Sequence, residues 1–170
     1  VNVDQGEKVK ISEIEFEGNE MFSDARLKRA MSKTKEKNFL RVWKRSKFIA
    51  DEYESDKEKI VNKYKEKGFR DARIVSDTLI RKDAETIALR INLEEGRKHY
   101  IGNIDFIGNT VYTDQMLAMA LGITKGDVYN GVLLKERIAD PSNPDAQDLA
   151  NLYKNNGYLF SQINPVETRV

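Results

Sequence analysis

Apolar and polar positions alternate from Glu13 to Glu17, where Ile14 and Phe16 are set against three glutamates. That is the two-residue period of a strand with one buried face, and Gly18-Asn19 closes it with turn chemistry. Ser23 then stands where an N-cap hydroxyl would bond the free amides of a helix start, Asp24 suits the positive helix end, and Leu27, Ala30 and Met31 repeat at helical spacing. A second helix carries Ile49, Tyr53, Ile60 and Tyr64 along one face, with Gly68 placed for a left-handed C-terminal cap. Arg73 to Arg81 is rich in β-branched residues, Asp83-Ala84-Glu85 makes a short turn, and Ile87, Leu89, Ile91 and Leu93 alternate strictly. This pattern is a β-hairpin. The order strand, helix, helix, strand, strand predicts a three-stranded sheet with two helices on its one apolar face, an α+β arrangement.

The pattern occurs twice. Ile14-Glu15-Phe16-Glu17-Gly18-Asn19 recurs 90 positions later as Ile104-Asp105-Phe106-Ile107-Gly108-Asn109, and Phe22-Ser23-Asp24 and Leu27 recur as Tyr112-Thr113-Asp114 and Leu117. Asn62, Tyr64-Lys65, Gly68-Phe69 and Ile74 return at an offset of 89 as Asn151, Tyr153-Lys154, Gly157-Tyr158 and Ile163. Order and spacing kept together mark two copies of one small domain, residues 1–96 and 97–170. In the second copy Asn143-Pro144 suits an N-cap followed by proline at the first helical position, with Leu149, Leu152 and Tyr153 facing inward. This copy reaches a strand from Ser161 to Arg169 and lacks its last strand, so the reading is of an excised or mature fragment whose second unit is incomplete or partly disordered.

Composition narrows the function classes. The chain has 170 residues, 34% of them charged, with 29 Lys and Arg against 28 Asp and Glu. A formal net charge of +1 leaves no global pull toward nucleic acid or anionic lipid, so any such role is local. No apolar run is long enough to span a bilayer, and the first residues hold no signal-peptide core. Without cysteine there is no disulfide framework, thiolate metal site or cysteine nucleophile, and the redox compartment stays open.

Catalytic chemistry is poorly provided for. His99 is the single histidine and has no cysteine with which to share a metal, so a structural or exposed side chain is the expectation and no cofactor or metal is assigned. Glu13, Glu15 and Glu17 line one strand face and read as solvated surface, not as a general acid and base with separated pKa values. Gly18-Asn19 and Gly108-Asn109 lack the further glycines and lysine of a phosphate loop and read as turns.

Two surfaces remain as candidates. The first is backbone: one outer strand of such a sheet must carry unpaired amides and carbonyls, and the mixed polarity of Arg73, Ile74, Val75, Ser76, Asp77, Thr78, Leu79, Ile80 and Arg81 marks that strand as the edge. An extended guest chain would pair there; the alternative is an edge covered by its neighbour or simply solvated. The second is electrostatic. Ten basic residues face one acid, Glu36, between Arg26 and Lys47. Lys33, Lys35, Lys37, Arg41, Lys44, Arg45 and Lys47, interleaved with Phe39, Leu40, Val42, Trp43 and Phe48, suit nucleic acid, anionic lipid head groups or an acidic partner. The alternative is solvated lysines over packed aromatics, compensated by Asp51, Glu52, Glu54, Asp56 and Glu58.

The residues resemble a known family. Phe16-Glu17-Gly18-Asn19 with Phe22-Ser23, and Gly68-Phe69-Arg70-Asp71-Ala72-Arg73-Ile74, look like the two signatures of the POTRA (polypeptide-transport-associated) domain. The second copy supplies Ile107-Gly108-Asn109, Tyr112-Thr113 and Gly157-Tyr158, and Gly126-Asp127-Val128-Tyr129-Asn130 resembles the turn common between POTRA helices. The long segment between the helices of copy one, with Trp43 and Lys47-Phe48, is similar to the third POTRA unit of BamA-like outer-membrane assembly factors, which makes copy two resemble the fourth. The resemblance implies tandem β-α-α-β-β domains on the periplasmic face of the bacterial outer membrane, ahead of a membrane barrel in the same parent chain. It further implies binding of unfolded outer-membrane β-barrel proteins by strand addition and docking of accessory lipoproteins; no enzymatic activity and no nucleic-acid partner are the expectation. The insertion Asp140-Pro141-Ser142-Asn143-Pro144 departs from the pattern, and POTRA regions of two-partner-secretion or autotransporter-assembly barrels share the same motifs.

Overall fold

The computed structural model describes residues 9–37 and 47–169, which fall into two compact units. One takes the chain up to Tyr64 together with Asp71–Gly96; the other takes Lys65–Arg70 with the chain from Arg97 onward.

The first unit runs β1 (Lys10–Glu17), α1 (Asp24–Ala30), α2 (Ala50–Lys65), β2 (Arg73–Arg81) and β3 (Thr86–Glu94). Its sheet has the order β1-β3-β2, with β3 parallel to β1 and antiparallel to β2. The strictly alternating strand takes the centre because its whole apolar set, Ile87, Leu89, Ile91 and Leu93, can be buried against the helices. Each such side chain removed from water contributes roughly 1.5–3 kcal/mol. Ile11 is equally buried although it lies three residues before Ile14, because the pairing of β1 with β3 shifts between Ile11 and Glu13 and returns both to one face. Over that face lie Leu27 of α1 and Tyr53, Ile60 and Tyr64 of α2, and Phe22 meets the Tyr64 ring edge-on with centroids 4.8 Å apart. The hairpin turn is held by Asp83, whose Oδ1 accepts the Glu85 and Thr86 amides at 2.8 Å each.

Ser23 occupies the N-cap of α1, yet its hydroxyl makes no capping bond. The start of the helix is organised instead by Asn19, whose Nδ2 donates to Phe22 O and Asp24 Oδ1 at 2.9 and 2.8 Å. Asn109 repeats this with Tyr112 O and Asp114 Oδ1 at 3.0 and 2.8 Å, so the recurring Gly-Asn pairs are turns that fix helix starts.

The second unit contains α3 (Asp114–Leu121), α4 (Gly131–Ile138) and α5 (Leu149–Asn155) around Leu117, Leu121, Ile123 and Leu149. It departs from the sequence expectation in three ways. Helix α4 is additional to the elements expected; Asn130 caps it by accepting the Leu133 amide, and its inward residues Leu134 and Ile138 are one turn apart. The last helix begins at Leu149, not behind Asn143-Pro144. Asn143 Oδ1 is taken by the Asp145 amide in a local turn, while the buried Asp148 carboxylate accepts both Asn151 N at 2.7 Å and Asp140 N at 2.9 Å. Finally, residues 161–169 form no strand, and no strand occurs among the described residues of this unit. In the first unit, by contrast, the two outer strands are joined through the central β3.

Candidate strand-accepting edge

Strand β2 pairs with β3 alone among the described residues, which makes it an edge. The phase of its hydrogen bonding follows from the turn, where Lys82 N donates to Thr86 O at 3.0 Å. Alternate residues back along the strand, Ile80, Thr78 and Ser76, therefore bond to Ala88, Arg90 and Asn92 of β3. The amides and carbonyls of Asp77 and Leu79 point the other way, off the sheet. Between Ile74 and Ser76 the register shifts, leaving Val75 without an opposite residue.

The outward-facing residues also have their side chains on the helix-covered face, since Asp77 and Leu79 pair with the buried Ile91 and Leu89. Their own surroundings differ. Asp77 is tied to α2, with Lys57 Nζ 3.1 Å from its Oδ2 and also 2.8 Å from Glu54. Burial opposes ionisation of Asp77, but the Lys57 ammonium outweighs it and lowers the carboxyl pKa. Burial first, and the Asp77 carboxylate second, push the Tyr53 phenol far up, so it stays neutral. Leu79 and Val75, by contrast, are 52% and 59% exposed. An edge thus presents outward-facing backbone groups beside two unburied aliphatic side chains, which is the chemistry an extended apolar segment recognises. The opposite sheet face is polar and self-paired: Asn92 Nδ2 bonds Ser76 Oγ at 2.8 Å, and Arg90 lies 3.0 Å from Glu15 and 3.5 Å from Glu17.

The basic segment is partly engaged at home. Lys35 Nζ donates to Lys28 O at 2.9 Å, while Lys33, Lys37 and Lys47 are exposed; Arg41, Lys44 and Arg45 lie outside the described residues, as does Trp43. Its single acid, Glu36, is structural, since its Oε1 accepts the Ile14 amide at 2.7 Å and pairs with Lys28 Nζ at 2.8 Å. Asp56, which the charge pattern groups with compensating surface acids, is instead fully buried. Its carboxylate accepts the amides of Ser32, Lys33 and Thr34 at 3.1, 2.9 and 2.6 Å and an ammonium bond from Lys59 at 2.8 Å. The signal was available, because Asp56 falls between Tyr53 and Ile60 on the apolar face. His99 is half-buried, and its backbone bonds to Gly68 and Tyr129 at 2.8 and 3.0 Å. Among the described residues no group of histidine and carboxylates could hold a metal ion, and no helix is long and apolar enough to cross a membrane.

With a three-stranded sheet, two covering helices and an open hairpin edge established, the family can be assigned. Residues 9–96 and 99–169 each match the model of the family described as POTRA, surface antigen variable number repeat, and the chain belongs to that family. Its two repeats are POTRA domains of the BamA-like kind: an outer membrane protein assembly factor BamA of Neisseria meningitidis serogroup B is 31% identical over 111 residues, 65% of this chain and 14% of the relative. A second BamA, from Neorickettsia risticii, is 26% identical over 97% of this chain and 21% of its own length, and a Treponema pallidum protein named for outer membrane protein assembly is 28% identical over 98% and 19%. The chain therefore spans about a fifth or less of these relatives. The crystal structure of Haemophilus influenzae BamA POTRA3-5 superposes with a TM-score of 0.55 at 22% identity, covering 76% of this chain and 47% of that one, a likeness of fold.

Proposed function

We propose that this chain is the POTRA segment of an outer-membrane protein assembly factor, stationed at the periplasmic face of the outer membrane ahead of a membrane barrel. Its two sequence repeats, 1–96 and 97–170, work as non-enzymatic binding modules. The first takes extended segments of unfolded β-barrel proteins by strand addition along Arg73–Arg81, and the pair offers surfaces to accessory lipoproteins. The observation that carries this reading is the edge itself: the outward backbone of Asp77 and Leu79 beside the exposed Leu79 and Val75 side chains.

Backbone pairing makes recognition tolerant of guest sequence, and ordering a disordered guest offsets much of the gain, so each site binds weakly and useful affinity comes from several units acting together. Titration of the isotope-labelled chain with peptides from outer-membrane β-strands tests it. Amide shifts confined to β2 and the facing turn of α2 are expected; shifts scattered elsewhere reject the edge.

The exposed Lys33, Lys37 and Lys47 keep a second reading in play, in which the basic segment is an electrostatic adaptor to an acidic protein or lipid surface. Such binding would weaken steeply with salt and vanish on reversing Lys44, Arg45 and Lys47, whereas backbone pairing tolerates salt.

A further inference from the structure

A three-stranded sheet has two edges, and among the described residues β1 is covered from Val9 to Ile14 whereas β2 is not. We infer that Glu36 and Lys37, at the start of the basic segment, form an edge guard that closes β1 and confines strand addition to β2. This inference rests on the strand-addition reading and adds its directionality.

The geometry of β1 is explicit. Lys10 N donates to Glu85 O at 2.8 Å, so Lys10 faces β3, and its neighbours Val9 and Ile11 face outward. Past the register shift, Glu15 faces β3 and Ile14 faces outward. Each of these outward residues meets a group from the flanks of the basic segment. Phe48 N donates to Val9 O at 2.9 Å, and Lys47 bridges to Lys10 in antiparallel fashion. Lys37 N donates to Ile11 O at 2.7 Å. At Ile14 the backbone partner is replaced by a side chain: the Glu36 carboxylate takes the amide at 2.7 Å and is itself held by Lys28 of α1 at 2.8 Å.

The device depends on a side-chain oxygen acceptor at position 36. A guest strand would have to offer a carbonyl to the Ile14 amide, and a carboxylate already bonded there is a stronger acceptor that also repels an approaching carbonyl oxygen. The rest of the guard is anchored, because the Ser32, Lys33 and Thr34 amides are bound by Asp56 immediately upstream. Strand β2 has no such cover: among the described residues, Ile74 to Ile80 take no backbone bond except from β3. A guest therefore enters on one side of the sheet, along β2.

The test uses a short peptide of alternating threonine and valine carrying a nitroxide, titrated into the labelled chain. In the unaltered protein, broadening is expected along β2 and not along β1. Glu36→Ala combined with Lys37→Pro, which removes both the acceptor and the donor, is expected to add broadening along Lys10–Glu17. Unchanged β2 broadening with none at β1 in that variant overturns the guard and leaves the proposed function standing; broadening at β1 in the unaltered protein also overturns it. No broadening at either edge removes the strand-addition reading and the inference with it. Because the variant could unfold, hydrogen exchange on the unaltered chain gives an independent answer. The Ile14 amide should exchange at least about tenfold more slowly than that of Leu79. Glu36→Gln, which retains an acceptor oxygen, should keep that protection; equal exchange at the two amides refutes the guard.

Discussion

The Asp56 carboxylate accepts the Thr34 amide at 2.6 Å from a position with no exposed surface, joining the loop after α1 to the middle of α2. A buried anion is tolerable only because three amides and Lys59 converge on it. Replacing it with asparagine puts an N–H donor among donors. Asp56→Asn is expected to destabilise the first unit by ~3 kcal/mol, read from urea denaturation followed on Tyr64 resonances.

The same carboxylate makes that unit acid-sensitive. Burial alone raises its pKa, but the bonds from Lys59, Thr34 and Lys33 prevail and bring it from 3.8 to about 2. A group whose folded pKa is depressed stabilises fully above its unfolded value and loses that contribution as pH falls toward the folded one. Stability of the first unit should decline by about 2 kcal/mol as pH drops from about 4 to about 2. In Asp56→Asn this part of the acid dependence should be missing; an unchanged profile would refute the assignment.

Proline scanning along β2 separates its two sides. Thr78 faces β3, so Thr78→Pro deletes a ladder bond and should lower stability by at least ~1 kcal/mol. Leu79 faces outward, so Leu79→Pro should leave the ladder intact while weakening guest peptide about tenfold, the loss of one backbone bond. The reverse ranking in binding and stability would show that the strand phase is wrong.

Corresponding glycines differ in cost. Gly18 and Gly108 have φ of +81° and +82°, but a methyl at Gly18 would overlap the Leu93 carbonyl oxygen, whereas nothing lies near Gly108. Gly108→Ala should cost only the left-handed penalty of ~1–2 kcal/mol. Gly18→Ala should cost clearly more, as seen by hydrogen exchange of each unit's amides.

Helix starts offer a smaller contrast. Thr113 Oγ1 accepts the Met116 amide at 3.3 Å, while the Ser23 hydroxyl caps nothing. Thr113→Ala should destabilise the second unit by ~1 kcal/mol, and Ser23→Ala should leave the melting of the first within error.

The alternation of Ile87, Leu89, Ile91 and Leu93, the hairpin turn at Asp83 and the ninety-residue recurrence were legible in the chain, because each is a local pattern whose burial or dihedral demand has one solution. Less legible was Asp56, whose position on an apolar face was plain but whose partners come from a loop more than twenty residues away. Helix α4 and the Asp148 cap were not legible because a run of aliphatics and several adjacent turn formers admit more than one local structure, and long-range acceptors choose between them.

Residue order by itself determined which segments must hide one face and where they turn, since apolar periodicity and glycine stereochemistry act over a few neighbouring residues. Mixed polarity already marked Arg73–Arg81 as an edge, but tertiary structure alone decided which of its backbone groups face outward, because the direction of each amide on β2 depends on its phase against β3, and the closure of β1 depends on Glu36 and Lys37 arriving from beyond α1. Those are contacts between distant parts of the chain, and no local pattern specifies them.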